Sequence, residues 1–316
     1  MAVDMSPNQL TGYTGSRACP VGFLPYWQRV RNTVTARHCE PVFEKLPYHN
    51  PLADYYRITL TAADGVILSA KYICPKTAGK HPAMLQFHDY PNASRSFFHL
   101  SRYIALGYAV LAPDARGQGG KSDGGKIGAG PTAYGPLFDG LEGPVEGMHL
   151  YHLYEDALLW GNAIQYLPAT DSSAIFTYGE GQGAAMACAC AAMYSCFKKC
   201  ALHYPSLCDY KRVWAIDYEM NPTYEGLRFF CRWHDPLGQR TEEIFTKLDY
   251  VDALNFAPYI QAEVLMSTGL LDVASPPSAQ YALYHRLSCP KSQLVYPKHG
   301  HELNNFFENE LLKFIM

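Results

Sequence analysis

TYGEGQGAAMACACAA, residues 177–192, predicts a β-strand that ends in a Gly-rich turn and continues directly into a helix. Apolar strand signals such as PAMLQFHDY and AEVLMSTGLLD alternate with helical segments such as PSAQYALYHRL on both sides of this turn. Such alternation favours a mostly parallel central sheet with helices on both faces. The sequence therefore predicts the α/β class.

We expect one domain over residues 1–316. The first part, 1–50, is rich in aromatic residues and proline and is interpreted as an N-terminal arm on the main body. Residues 55–75 alternate apolar and polar side chains around Asp64-Gly65, which indicates a β-hairpin. Strand signals lapse over 209–258, and we interpret this stretch as a helical insertion that caps the sheet.

Composition excludes several classes of partner. The 26 basic and 29 acidic residues give a net charge of −3, which argues against nucleic-acid binding. No apolar run approaches the roughly 20 residues of a membrane span, and MAVDMSPNQLTGYTG lacks the features of a secretory signal. The ten cysteines are scattered without a C-x-x-C pair. We expect a cytoplasmic protein with reduced thiols, a small-molecule substrate, and neither metal nor cofactor.

Three chain points with catalytic residue types follow predicted strands, where ligands gather in a parallel sheet. They are the turn 179–183, Asp272 and His301. The order of turn, acid and histidine is that of an α/β-hydrolase triad, whose turn reads Gly-x-Ser-x-Gly. In that triad the histidine takes the proton of the serine and the acid orients the imidazole. The turn here carries Gly181 at the serine position.

The wider sequence resembles carbohydrate esterase family seven, the acetylxylan esterases and cephalosporin-C deacetylases. Arg116-Gly117-Gln118, the turn 179–183 and His301-Glu302 correspond to the RGQ, GxSQG and HE signatures of that family. DARGQGGKS, DPLGQRTEEIFTKLDYVD and GLLDVASPPSAQYALYHRL are also similar to it. The resemblance implies an α/β-hydrolase fold, deacetylation of small acetylated sugars or cephalosporins, and a doughnut-shaped hexamer.

The resemblance also implies residue roles. Asp272 would be the triad acid and His301 the base. The backbone N–H groups of Tyr90 and Gln182 would form the oxyanion hole, where each donor is typically worth about 3–4 kcal/mol.

Three departures set this chain apart from that family. Gly181 replaces the serine, so no acyl-enzyme can form at that position. The family segment HGYG reads His88-Asp89-Tyr90-Pro91 here, which makes Asp89 and Pro91 candidates to line the pocket. Glu180 adds a second carboxylate at the turn. A carboxylate that points into the pocket would oppose the negative charge that ester cleavage develops.

Each of these features also has a structural interpretation. Glu180 is more often buried support than a catalytic group, and Asp89 is suited to cap the following loop. We expect Arg116, with Gln118, to be an ion-paired brace beneath the site and not a substrate clamp. Cys188 is a poor replacement nucleophile, because it lies two helical turns from the apex.

Three hypotheses remain open from the sequence. The first is a diverged enzyme in which the Asp272–His301 pair acts as general acid and base beside the oxyanion hole. A water in the space left by the serine would serve hydrolysis, and elimination, condensation or cyclisation are alternatives. The second is an esterase with its double displacement disabled, by nature or by engineering. The third is a binding protein or oligomeric scaffold.

Overall fold

Nine strands form one sheet in the computed structural model, which describes residues 4–125, 135–216 and 223–316. The strands are β1 (Val42–Lys45), β2 (Ala53–Thr61), β3 (Ile67–Pro75), β4 (His81–Phe87), β5 (Ala109–Pro113), β6 (Thr170–Glu180), β7 (Phe197–His203), β8 (Glu263–Gly269) and β9 (Lys291–Tyr296). Their spatial order is β1-β2-β3-β5-β4-β6-β7-β8-β9. In this spatial order, every neighbouring pair from β5 onward, which includes β4, is parallel. The β1–β2, β2–β3 and β3–β5 pairs are antiparallel. The predicted hairpin over 55–75 is the β2–β3 pair.

Helices cover both faces of the sheet. They are α1 (Pro7–Leu10), α2 (Phe23–Ala36), α3 (Phe97–Leu100), α4 (His149–Ala163), α5 (Gln182–Met193), α6 (Tyr210–Ile216), α7 (Glu225–His234), α8 (Thr241–Leu248), α9 (Pro277–Arg286) and α10 (Asn305–Ile315). One hydrophobic cluster joins α2, α4, α5 and α9 to the sheet, and a second joins α3 and α10 to its other face. The predicted α/β class is confirmed. No helix in the described ranges is long and apolar enough to cross a membrane.

The N-terminal segment contributes to both the sheet and the core. Strand β1 extends the sheet at its antiparallel edge, and α2 buries Phe23 and Trp27 completely. The indole N–H of Trp27 donates to the carbonyl of Tyr250 at 2.8 Å, so α2 is tied to the segment predicted as the insertion. That segment holds α6, α7 and α8; its residues 217–222 lie outside the described residues.

The turn between β6 and α5 is as tight as the opening sequence predicts. A Cβ atom at Gly179 would lie 2.1 Å from the carbonyl oxygen of Gly183, and one at Gly183 would lie 2.5 Å from that of Phe87. Glycine at both places therefore lets the start of α5 approach the ends of β4 and β6. This approach brings residue 181 beside the loop that follows β4.

Candidate functional site

Four loops at the carboxyl ends of parallel strands bring the candidate residues together. Asp89 follows β4, Gly181 follows β6, Asp272 follows β8 and His301 follows β9. Nδ1 of His301 lies 2.8 Å from Oδ2 of Asp272, and its Nε2 lies 2.9 Å from Oδ2 of Asp89. His301 is therefore held between two carboxylates.

Gly181 adopts a backbone conformation that suits glycine, with φ at +51° and ψ at −114°. Its N–H donates to the carbonyl of His203, and its own carbonyl accepts from the N–H of Ser206, both at 3.0 Å. A Cβ atom added at Gly181 would lie 1.8 Å from Oδ1 and 2.3 Å from Cγ of Asp89. The expectation that the missing serine leaves room for a water is wrong, because the Asp89 carboxylate fills that space.

The two backbone amides expected to form the oxyanion hole converge on one atom. Oδ1 of Asp89 accepts from the N–H of Tyr90 at 2.8 Å and from the N–H of Gln182 at 2.9 Å. The Asp89 side chain is only 11% exposed. Its carboxylate therefore faces the site and is not turned outward to cap the following loop; Pro91 follows Tyr90 through a cis peptide bond.

The surroundings of His301 favour its protonated, positively charged form. Burial alone would lower its pKa, but the hydrogen bonds and negative charges of Asp272 and Asp89 outweigh burial and raise the pKa to about 10. The ring of Tyr204 packs against the imidazole with 4.4 Å between centroids. In the resting cluster the imidazole of His301 thus lies between the side chains of Asp272 and Asp89.

Asp272 is completely buried and fixed by its own loop. Its Oδ1 accepts from the N–H groups of Ala274 at 2.9 Å and Ser275 at 2.7 Å, and its Oδ2 accepts from Nε2 of Gln280 at 2.9 Å. With His301 as the fourth partner, both oxygens are saturated, so the carboxylate holds the imidazole in one orientation.

His88 fixes the backbone of Asp89. Because the N–H of Ala115 donates to Nε2 of His88 at 2.9 Å, the proton of this buried ring is on Nδ1 and is donated to the carbonyl of Asp89 at 2.8 Å. Burial lowers the pKa of His88, which keeps the ring neutral. This histidine is a hydrogen-bonded structural residue.

Glu180 does not turn toward His301. Its buried carboxylate accepts from the guanidinium of Arg95 and, at 2.8 Å, from the hydroxyl of Tyr178. Burial raises the pKa of Glu180, although Arg95 opposes this. Both oxygens are engaged, which matches the supporting role favoured from the sequence.

Arg116 and Gln118 brace the site from beneath. The buried guanidinium of Arg116 bonds both oxygens of Asp156 at 2.6 Å and one of Asp64 at 2.7 Å. The side-chain amides of Gln118 and Gln182 bond each other at 2.8 and 3.2 Å, which fixes the first residue of α5. Neither Arg116 nor Gln118 forms a hydrogen bond with the imidazole of His301.

Sequence reasoning missed Arg95, His203 and Tyr204. His203 is the last residue of β7 and Tyr204 follows it. The sequence of this strand, FKKCALH, does not predict a strand, because two lysines interrupt its apolar pattern. Cys188 is completely buried on α5, and burial raises the pKa of its thiol well above the ordinary value. In the part of the chain that the structure describes, no group of three or more His, Cys, Asp or Glu could hold a metal ion.

Acetyl xylan esterases are among the known proteins similar to this chain. The family described as acetyl xylan esterase (AXE1) matches residues 1–316. The crystal structure of acetyl xylan esterase 1 from Thermoanaerobacterium sp. JW/SL YS485 is 35% identical with a TM-score of 0.93, over 99% of this chain and 98% of that one. An acetyl xylan esterase from Paenibacillus sp. R4 is 26% identical with a TM-score of 0.90, over 98% and 99%.

A curated relative is longer than this chain. Acetyl esterase Axe7A of Xylanibacter ruminicola is 24% identical over 95% of this chain, which spans just under two thirds (66%) of that relative's length. The mostly parallel sheet and the similar structures together confirm the predicted α/β-hydrolase fold.

Proposed function

The chain belongs to the acetyl xylan esterase (AXE1) family, and from that premise we propose that it is a diverged enzyme that acts on a small molecule without an acyl-enzyme at residue 181. In this proposal His301 and Asp272 form the acid–base pair. The Tyr90 and Gln182 amides hold negative charge on an oxygen. Acetyl-ester cleavage by double displacement is not its activity.

The observation that carries the proposal is the position of the Asp89 carboxylate. It fills the place of a seryl side chain at residue 181. It also accepts the hydrogen bonds of the two amides that would stabilise a substrate oxyanion. An acetyl ester that entered would meet a fixed negative charge where its own carbonyl oxygen must become negative. That repulsion opposes the transition state of ordinary ester cleavage.

The protonation state of His301 decides what the cluster can do first. With a pKa of about 10 the imidazolium is an acid at neutral pH and cannot take a proton from water. It becomes a base only after one of its carboxylate partners loses its charge. Chemistry at this site therefore begins at Asp89, the anionic partner that is not completely buried.

A second candidate function is a non-enzymatic binding protein or scaffold. It is favoured because the hydrogen-bond donors of the site already have a partner within the protein. The Asp89 carboxylate accepts from the N–H groups of Tyr90 and Gln182 and from Nε2 of His301. A scaffold predicts that the wild type and His301→Ala treat every small molecule alike. An enzyme predicts that they differ.

The proposal is tested with p-nitrophenyl acetate on the wild type, Gly181→Ser, Asp89→Gly and the double variant. Serine restores the nucleophile, and glycine at 89 restores the residue found in the HGYG segment of the resembling family. We expect the wild type and both single variants to stay at background. The double variant should gain at least about 100-fold, since one oxyanion donor alone is typically worth 10²- to 10³-fold.

Adding His301→Ala to the double variant is the control, and it should remove the gain. Wild-type turnover equal to that of the double variant, and dependent on His301, would show that ester cleavage is retained without a serine. That result would refute the proposal.

We also propose that the protein is a cytoplasmic homo-oligomer, with the hexamer implied by the family resemblance as the expected state. Ten free cysteines support a reducing compartment. Val42 and Phe43 on edge strand β1 are 67% and 39% exposed, which supports burial against another copy. Light scattering coupled to size exclusion tests this; a monomer at micromolar concentration would contradict it.

A further inference from the structure

We propose that Asp89 is a covalent nucleophile: its Oδ2 displaces a leaving group from a saturated carbon, and the resulting aspartyl ester is hydrolysed in place. This inference rests on the proposed function, because it uses the His301–Asp272 pair and the two amides. It adds the nucleophile and the class of substrate.

Cγ of Asp89 lies close to the place of a seryl side chain at residue 181. It lies 2.3 Å from the Cβ position of residue 181, the separation expected between two atoms that share one bonded neighbour. A seryl Cβ and the carbonyl carbon of its acyl group are related in that way through Oγ. Cγ of Asp89 therefore lies at the distance from residue 181 that an acyl carbon would have if it were esterified to a serine there.

The two carboxylate oxygens of Asp89 face different partners. Oδ1 receives the N–H groups of Tyr90 and Gln182, and Oδ2 faces Nε2 of His301. An ester formed at Oδ2 would thus keep its carbonyl oxygen, Oδ1, in the oxyanion hole. Its alcohol oxygen would lie beside the imidazole that must protonate it.

The occupied amides determine which kind of carbon Asp89 can attack. Attack on an acyl carbon would create an oxyanion on the substrate, but the two amides are already bonded to Oδ1. Displacement at a saturated carbon places the new charge on the leaving group instead and needs no oxyanion hole. Oδ2 also keeps a second lone pair for the attack, since His301 uses only one.

The leaving group follows from the same geometry. In-line displacement puts it on the far side of the carbon from Oδ2, and hence away from His301. It must leave without that proton, which favours a stable anion over an alkoxide. We therefore commit to alkyl halides as the substrate class.

The steps balance with water as the only co-reactant. Oδ2 forms a C–O bond while the carbon–halogen bond breaks, and the halide leaves with the electron pair. Asp89 is now a neutral ester, so His301 loses one anionic partner, its pKa falls and its proton passes to solvent.

Hydrolysis then returns the site to its starting state. Neutral His301 takes a proton from water as the water oxygen bonds to Cγ, and the charge on Oδ1 is held by Tyr90 and Gln182. The Cγ–Oδ2 bond breaks, the alcohol leaves with the proton from His301, and the new carboxylic acid returns its own proton to the imidazole. The sum is R–X + H₂O → R–OH + X⁻ + H⁺.

The test uses 1-bromohexane in ¹⁸O-water with the wild type in excess, so that each site turns over once. Oxygen in the first hexanol formed should be ¹⁶O from Asp89, and the peptide that contains Asp89 should gain ¹⁸O. Direct attack by water would instead put ¹⁸O into the alcohol and leave the peptide unlabelled. That pattern, or no bromide release above the buffer rate, would overturn the proposal.

Two variants and a matched control sharpen the result. His301→Gln can still donate to Asp89 but cannot activate water, so the intact protein should accumulate a hexyl adduct and hydrolyse it at least 100-fold more slowly. Asp89→Asn should form no adduct. His299→Gln, whose ring bonds Glu302 outside the cluster, should behave as the wild type.

This experiment is independent of the ester assay. If the serine-restored double variant gains esterase activity while the wild type neither releases bromide nor acquires an adduct, only the nucleophile assignment fails. If His301→Gln keeps the far-ultraviolet circular dichroism spectrum of the wild type but forms no adduct, although the wild type releases bromide, the covalent step is refuted.

Discussion

The carboxylate of Asp89 excludes any side chain at residue 181, because its Oδ1 lies 1.8 Å from the Cβ position of Gly181. The size of the residue at 181 therefore limits the size of the residue at 89, although the two lie on different loops. Glycine at 181 makes room for an aspartate at 89, and a serine at 181 requires a smaller residue at 89.

Restoring serine alone should destabilise the protein. Gly181→Ser places a side chain inside the Asp89 carboxylate and forces an L-residue to φ near +51°, at a combined cost of about 2–4 kcal/mol. Urea unfolding measures the change. In the Asp89→Gly background the same substitution should cost at least about 1 kcal/mol less, because only the backbone strain remains. Equal costs in both backgrounds would disprove the steric coupling.

The charge on His301 predicts a pH-dependent stability. Its folded-state pKa of about 10 lies above the ordinary value of about 6.5, so the stabilisation is complete below about pH 6.5 and is lost as pH rises through 10. Between these values the wild type should lose about 3–5 kcal/mol more unfolding free energy than His301→Gln. Subtracting the variant's profile removes the titration of tyrosines and cysteines. Parallel profiles would show that His301 is neutral in the folded protein.

The sequence predicted the sheet and the convergence of loops more reliably than the state of the site. Gly-rich turns and strand–helix alternation are local signals, so the β6–α5 turn and the positions of Asp272 and His301 after β8 and β9 could be placed. Where the Asp89 side chain points depends on a contact across 92 positions with Gly181, for which no local pattern exists. The amides of Tyr90 and Gln182 were identified as donors, but their acceptor was not.

Other elements were missed for physical reasons. Strand β7 carries Lys198 and Lys199 in the middle of an otherwise apolar run, which hides it from a periodicity argument. The N-terminal arm contains a helix, α2, and a strand, β1, whose stability depends on burial against the rest of the chain.

Asp272→Asn should weaken both stability and the charge on His301. The new amide nitrogen would face two donors, Nε2 of Gln280 and Nδ1 of His301, and leave them unsatisfied at a cost of about 1–3 kcal/mol. Imidazole resonances followed by NMR titration should show a lower pKa for His301. Asp171→Asn, at the surface near the start of β6, is the control and should change stability by less than about 0.5 kcal/mol. An unchanged His301 pKa in Asp272→Asn would assign its charge to Asp89 alone.

Arg116→Lys tests whether the brace depends on the shape of the guanidinium as well as on its charge. The buried Arg116 makes three bonds at 2.6–2.7 Å to Asp156 and Asp64, and burial raises the pKa of Asp156 to about 6 in spite of that partner. A lysine ammonium cannot match both oxygens of Asp156 and also reach Asp64, so we expect a loss of about 2–3 kcal/mol in urea unfolding. Arg57→Lys, in a half-exposed pair with Glu44, should cost less than about 0.5 kcal/mol. Because a weakened brace raises the pKa of Asp156 further above 6, the Arg116→Lys deficit should shrink as pH falls from 8 toward 6, where the carboxyl of the variant becomes protonated before that of the wild type. A deficit that is constant from pH 5 to pH 8 would contradict an electrostatic brace.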